Sequence, residues 1–114
     1  MIEVSEDNAL EMLRDLLGKR GRGGQDCLWN IPNHMHGALA RYIVFGISGG
    51  KFLTAVMENN LVEACLRADD VNQRHLREWA LLVYNDLPMA CSGSPEKVKK
   101  WIEGGGTSGK ERNK

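Results

Sequence analysis

The sequence has little that would mark a membrane protein, a secreted protein or a protein that coats nucleic acid. Its 114 residues carry 15 basic and 15 acidic side chains, so the formal net charge is zero. A chain without excess positive charge is a poor candidate for wholesale coating of nucleic acid. No apolar run approaches the roughly 18 residues of a membrane span. The first seven residues include three acids and no base, whereas a secretory signal begins with basic residues. We therefore expect a cytoplasmic protein with no membrane partner.

Cysteine pairs, metal-ligand spacings and catalytic motifs are equally scarce. Cys27, Cys65 and Cys91 lie far apart, whereas a disulfide framework needs an even, dense set of cysteines. His34 and His36 are two residues apart and point to different faces of a helix. No second pair lies at a zinc-like interval, and no nucleophile elbow or H-E-x-x-H motif occurs. We predict free thiols, no metal, no cofactor and no catalytic residue.

Apolar residues recur at helical spacing along most of the chain, and no segment alternates with period two. The pattern predicts a small all-α, single-domain bundle of five or six helices. Capping and helix-breaking residues place these helices at about 6–17, 32–46, 50–58, 61–67, 70–85 and 95–103. The longest of them, 70–85, is expected to be continuous.

Glycine-rich segments divide the chain into four parts. Residues 1–17 form a predicted N-terminal amphipathic helix, which Gly18 ends. Residues 18–25 form a predicted flexible basic loop, 26–103 the helical core domain and 104–114 a disordered tail. A glycine loop permits the first helix either to pack on the core or to lie free of it.

Two basic segments are candidate anion-binding sites. The loop that carries Lys19, Arg20 and Arg22 resembles the arginine–glycine segments that contact phosphates, although a solvated linker has the same composition. Residues 46–51 have a faint likeness to a phosphate loop. Phe52 stands where a Ser or Thr would hold magnesium, and a helix precedes the segment, so a nucleotide hydrolase is excluded. Helix N–H groups near residue 51 could still bind an anionic group.

Polar side chains at helix ends form the main candidate site for a ligand or partner. They are Arg41, Tyr42, Lys51, Asn59, Asn60, Asp69 and Asn72. Polar residues at several helix ends can converge on one side of a bundle and form a pocket. Helix capping explains Asn60, Asp69 and Asn72 separately, without any ligand. The sequence leaves both interpretations open.

Several short motifs lie in the last two-thirds of the chain. They are Ile31-Pro32, Tyr42-x-x-x-Gly46, Gly50-x-Phe52-x-x-x-Val56, Asn60-Leu61, Ala68-Asp69 with Asn72, Tyr84-Asn85 with Pro88, and Gly93-Ser94-Pro95-x-x-Val98-x-x-Trp101. In these motifs the chain resembles a family of small helical proteins encoded in bacteriophages and prophages. The resemblance implies no functional residue. It implies a context, namely an accessory protein of a mobile element in the bacterial cytoplasm.

These observations favour a non-enzymatic binding protein that blocks a host protein or protein complex, as an antagonist of a bacterial defence system. Trp79, Tyr84 and Trp101 are its candidate interface anchors. The alternative is a small-ligand binder that sequesters a nucleotide-type signal through Arg41, Tyr42, Lys51 and the asparagines, for example between the subunits of a homo-oligomer. A lower alternative is a nucleic-acid module that uses the basic loop.

Overall fold

The computed structural model describes residues 6–20, 31–85 and 87–108, except for the side chains of 6–8 and 18–20. Within these ranges the chain forms α-helices and two 3-10 turns, and no strand occurs in them. The helices are α1 (Glu6–Arg20), α2 (His36–Phe45), α3 (Lys51–Met57), α4 (Leu61–Arg67), α5 (Asp70–Arg74), α6 (Leu76–Asn85) and α7 (Pro95–Glu103). The 3-10 turns are Asn33–Met35 and Met89–Cys91. The predicted all-α fold is confirmed.

The central helix of the core is α2, in which seven of the ten residues are buried. Helix α1 packs along it through Ala9, Leu13 and Leu17, whose exposed fractions are 1% or less. The first helix therefore packs on the core, which settles the choice that the sequence left open.

Helix α1 continues to Arg20, so the prediction that it ends at Gly18 is wrong. A glycine inside a helix costs only about 1 kcal/mol relative to alanine, and the lysine and arginine that follow are good helix formers. The predicted flexible loop therefore does not include residues 18–20. Its remainder, 21–25, lies outside the described residues, as do residues 26–30 of the predicted core.

Residues 70–85 form two helices where the sequence predicted one. The last turn of α5 tightens, because the His75 N–H bonds the carbonyl of Asn72 at 3.0 Å. His75 then leaves helical geometry, with φ −117° and ψ 21°. The Asn72 side-chain oxygen also accepts the indole N–H of Trp79 at 3.1 Å, which ties the two helices together. The predicted continuous helix over 70–85 is therefore wrong, and a buried polar contact spans the break.

The end of α7 packs closely against the end of α2. The Trp101 indole N–H donates to the carbonyl of Tyr42 at 2.8 Å. Gly106 is buried with φ +67°, and a Cβ placed there would lie 2.6 Å from the carbonyl oxygen of Ile43. Residues 104–108 thus form a turn and a further helical stretch against the core, where the sequence predicted the start of a disordered tail. Residues 109–114 lie outside the described residues.

Candidate protein-binding surface

Two residues of the predicted polar site are buried in the core. Tyr42 is 2% exposed, and its hydroxyl donates a hydrogen bond to the carbonyl of Cys91. Burial is the main cause that raises the pKa of this phenol. Asn72 is also 2% exposed and accepts from Trp79. The polar atoms of both side chains form hydrogen bonds inside the protein, with Cys91 and Trp79, and do not face a described pocket.

Two further residues of that set cap helices. The side chain of Asn60 accepts the backbone N–H of Glu63 at 3.1 Å, and that of Asp69 accepts the N–H of Asn72 at 2.7 Å. Asp69 also lies 3.0 Å from the Nε2 atom of His34, and the pKa of its carboxyl is lowered by the Asn72 N–H first and by His34 second. The two contacts with backbone N–H groups are the ones expected from helix capping.

The other three residues of the set lie apart from one another. Lys51 is exposed at the start of α3 and lines a depression of about 320 Å³ together with Thr54 and Glu58. Asn59 adopts a left-handed backbone, with φ +63°, and ends the turn after α3. Arg41 is half-buried on α2. The structure therefore does not bring the predicted set together in one described cavity.

The remaining chemical candidates form no reactive cluster among the described residues. His34 and His36 indeed point differently, since the first is exposed and the second is buried against the carbonyl of Ile31. His75 is half-buried and contacts Glu78 at 3.1 Å. No group of three potential metal ligands occurs in the described part of the chain. Lys19 and Arg20 lie in the last turn of α1, and Arg22 lies outside the described residues.

A groove of about 970 Å³ lies between α4, α6 and the turn Met89–Cys91, with residues of α3 at its floor. Its wall is mainly apolar. The apolar lining residues are Ala55, Val56, Leu61, Ala64, Leu76, Trp79, Ala80, Leu81, Val83, Tyr84, Leu87 and Met89, and the polar ones are Asn59, Asn60, Asn85, Ser92 and Lys97. Asn59 and Asn60 are thus the two members of the predicted site that reach this groove.

Large apolar side chains at this groove are exposed to solvent. Tyr84 is 88% exposed, Met89 84% and Leu61 73%. On the outer side of α4, Val62 and Leu66 are 68% and 72% exposed, and we call these two residues the α4 ridge. Scattered exposed apolar residues are ordinary, but a contiguous group marks a surface that binds a partner. The groove and the ridge together are therefore the candidate binding surface.

Of the three predicted aromatic anchors, Tyr84 alone is exposed on this surface. Trp79 of α6 lines the groove but is 1% exposed. Its ring packs edge-on against that of Phe52, and the two ring centroids lie 5.6 Å apart. Trp101 is 5% exposed and bonds Tyr42. The predictions that Trp79 and Trp101 are interface anchors are wrong, because both side chains are buried and their indoles join helices of the core.

Comparisons of this chain with protein-family models, with curated proteins and with solved structures found no match. Among the described residues no helix is both long enough and apolar enough to cross a lipid bilayer. The candidate surface therefore has to be interpreted from its own geometry and chemistry.

Proposed function

We propose that this chain is a non-catalytic binding protein whose groove receives an apolar segment of a protein partner. The observation that carries the proposal is the apolar groove of about 970 Å³, bordered by three side chains that are more than 70% exposed. Protein interfaces concentrate their binding energy in a few large anchors at the centre of such a surface. Tyr84 and Met89, together with Leu61, fit that description.

An α-helix is the segment that suits this groove. Two helices, α4 and α6, form its walls and a third helix forms its floor. An amphipathic helix placed there would complete a small bundle and cover the apolar wall, as in other complexes in which a helix lies in a groove. A small anionic ligand suits the groove less well, because Lys97 is the one charged residue among its described lining residues.

The biological setting of the proposal comes from the resemblance of the sequence motifs to those of phage and prophage proteins. A small accessory protein of a mobile element would meet host proteins in the bacterial cytoplasm. We propose that it blocks one of them, as an antagonist of a host defence component, by occupying a helix that this component needs. A protein that blocks its partner by binding a helix of that partner can do so with an apolar groove and needs no reactive group.

Affinity capture from host lysate with matched variants tests this proposal. Tagged wild-type chain is expected to retain one protein or complex, and Tyr84→Glu with Met89→Glu is expected to reduce its recovery by about tenfold or more, as loss of an interface anchor does. Lys99→Glu, at an exposed position on α7, is the control and should retain the partner.

Equal recovery by the wild type and the groove variant would contradict the proposal. Native mass spectrometry of the purified chain covers the small-ligand alternative. A tightly held nucleotide-sized mass that survives the groove variant would favour that alternative over protein binding.

A further inference from the structure

The candidate surface contains both a groove and an apolar projection that could fill a groove. Val62 and Leu66 are one helical turn apart, at positions i and i+4, so they form a continuous ridge along α4. The groove lies on the adjoining side of the same helix, where Leu61 and Ala64 line it. One chain thus presents the two complementary halves of an interface in which a helix lies in a groove.

The charges on this surface are compatible with self-association. Among the described lining residues of the groove the charged one is Lys97, which is exposed. Beside the ridge, Glu63 forms an ion pair with Arg67 of its own helix at 3.2 Å. Glu63 and Arg67 together therefore carry no net charge beside the ridge, so this ion pair brings no excess positive charge toward the lysine of a facing groove.

The apolar area is also close to what a dimer requires. Leu61, Val62, Leu66, Tyr84 and Met89 are each at least 68% exposed, and Leu81 is 41% exposed. Together these six side chains would supply a large part of the about 800 Å² that each partner buries in a standard interface. Polar residues at the rim of the groove would supply the remainder.

We infer that the partner of this surface in the isolated protein is a second copy of the chain, with the α4 ridge of each copy in the groove of the other. A two-fold axis makes the interface self-complementary, so both grooves and both ridges are covered in a closed dimer. The inference rests on the proposed function, because it names the occupant of the same groove. A host helix would then bind by replacing the ridge of the second copy.

Sedimentation velocity of the 114-residue chain at micromolar to submillimolar concentration tests the inference. The wild type is expected to sediment as a species of twice 12.7 kDa at the higher concentrations. The ridge variant Val62→Lys with Leu66→Lys and the groove variant Tyr84→Glu with Met89→Glu are each expected to be monomeric, and their opposite charges keep the second contact of a mixed dimer free of repulsion. These four positions are exposed, so circular dichroism should show that both variants stay folded.

A mixture of the two variants provides the decisive measurement. In a mixed dimer the intact ridge of the groove variant meets the intact groove of the ridge variant, so one of the two contacts is restored. We expect dimer in the mixture, at higher concentration than the wild type needs, although neither variant dimerises alone. A monomeric wild type, dimers of either variant alone, or a mixture without dimer would each overturn the inference.

The same variants separate this inference from the proposed function. The ridge variant keeps its groove, so it should still capture a host partner even though it no longer dimerises. If the wild type is monomeric and the groove variant nevertheless loses a captured partner, the dimer is wrong and the proposed function stands. If the wild type dimerises and captures nothing specific, the dimer stands and the proposed function is wrong.

Discussion

Helices α2 and α4 have similar apolar periodicity in the sequence but opposite fates in the structure. Seven of the ten residues of α2 are buried, whereas Ala64 is the one buried residue of α4. Helix α2 is covered by α1 along one side and by the end of α7 at its C-terminus. Helix α4 packs chiefly on α3 and leaves its ridge in solvent. The comparison teaches that apolar residues on a helix favour burial, but they do not determine whether the same chain or a partner buries them.

The free energy involved is large on the scale of protein stability. Full burial of a leucine or valine side chain contributes about 1.5–3 kcal/mol, and a whole domain is stable by only about 5–15 kcal/mol. In α2 this contribution stabilises the folded chain. In α4 it remains available for association, which is why the two helices should respond differently to the same substitutions.

The largest expected contrast comes from the same truncation in each helix. Leu39→Ala in α2 removes a side chain that is 0% exposed and should lower the free energy of unfolding by about 3 kcal/mol, since it leaves a cavity. Leu66→Ala on the ridge removes one that is 72% exposed and should change it by less than about 0.5 kcal/mol. Urea denaturation of dilute protein measures both values. Similar losses in the two variants would show that α4 is covered within the monomer.

A second contrast tests the contact between α2 and α7. Gly106→Ala should lower the free energy of unfolding by about 2 kcal/mol or more, because φ is +67° and the new Cβ would lie 2.6 Å from backbone atoms of Ile43 and Val44. Gly104→Ala is the control, because its φ of −80° suits any residue. Thermal unfolding of the two variants gives the comparison. A neutral Gly106→Ala would mean that the segment after α7 does not lie against α2.

The smallest contrast uses the two tyrosines of the chain, Tyr42 and Tyr84. Tyr42→Phe should lower the free energy of unfolding by about 1 kcal/mol through loss of the hydrogen bond to the Cys91 carbonyl. Tyr84→Phe should be neutral for the monomer, because its side chain is 88% exposed. Chemical denaturation at neutral pH measures both changes.

The same pair of variants predicts a dependence on pH. Burial raises the pKa of Tyr42 in the folded chain above its ordinary value near 10. The unfolded chain therefore loses this proton first, and the stability that Tyr42 contributes is complete below pH 10 and declines as the pH rises above it. Tyr42→Phe should reduce this alkaline decline and Tyr84→Phe should not. An equal decline in all three proteins would contradict the burial of Tyr42.

Much of the helical architecture could be predicted from local residue patterns. Ser94 and Pro95 predicted the start of α7, and the Ser94 hydroxyl accepts the N–H of Lys97 at 3.2 Å as a capping residue does. The bounds predicted for the fourth helix, 61–67, are those of α4. Capping involves groups within three or four residues of each other, so the sequence carries the whole signal.

The candidate surface was less predictable. The sequence predicted Tyr84 as an anchor but did not predict that Val62 and Leu66 are exposed. It also assigned Tyr42 and Asn72 to a polar site, whereas both side chains are buried. A short helix with five apolar residues among seven has the same pattern whether it lies in a core or on a surface. The break at His75 was also missed, because the apolar and capping residues of 70–85 fit one continuous helix; the side-chain contact between Asn72 and Trp79 spans the break.

The sequence by itself determined that this chain is helical, where most helices begin and end, and which residues cap them, because each of these depends on neighbours along the chain. The tertiary structure alone decided that α1 packs on α2, that Trp79 and Trp101 are buried, and that the ridge and groove beside α4 stay uncovered. These outcomes depend on how many apolar faces meet when the helices are brought together. The described helices do not cover the ridge and the groove beside α4, and these form the surface that we propose for binding.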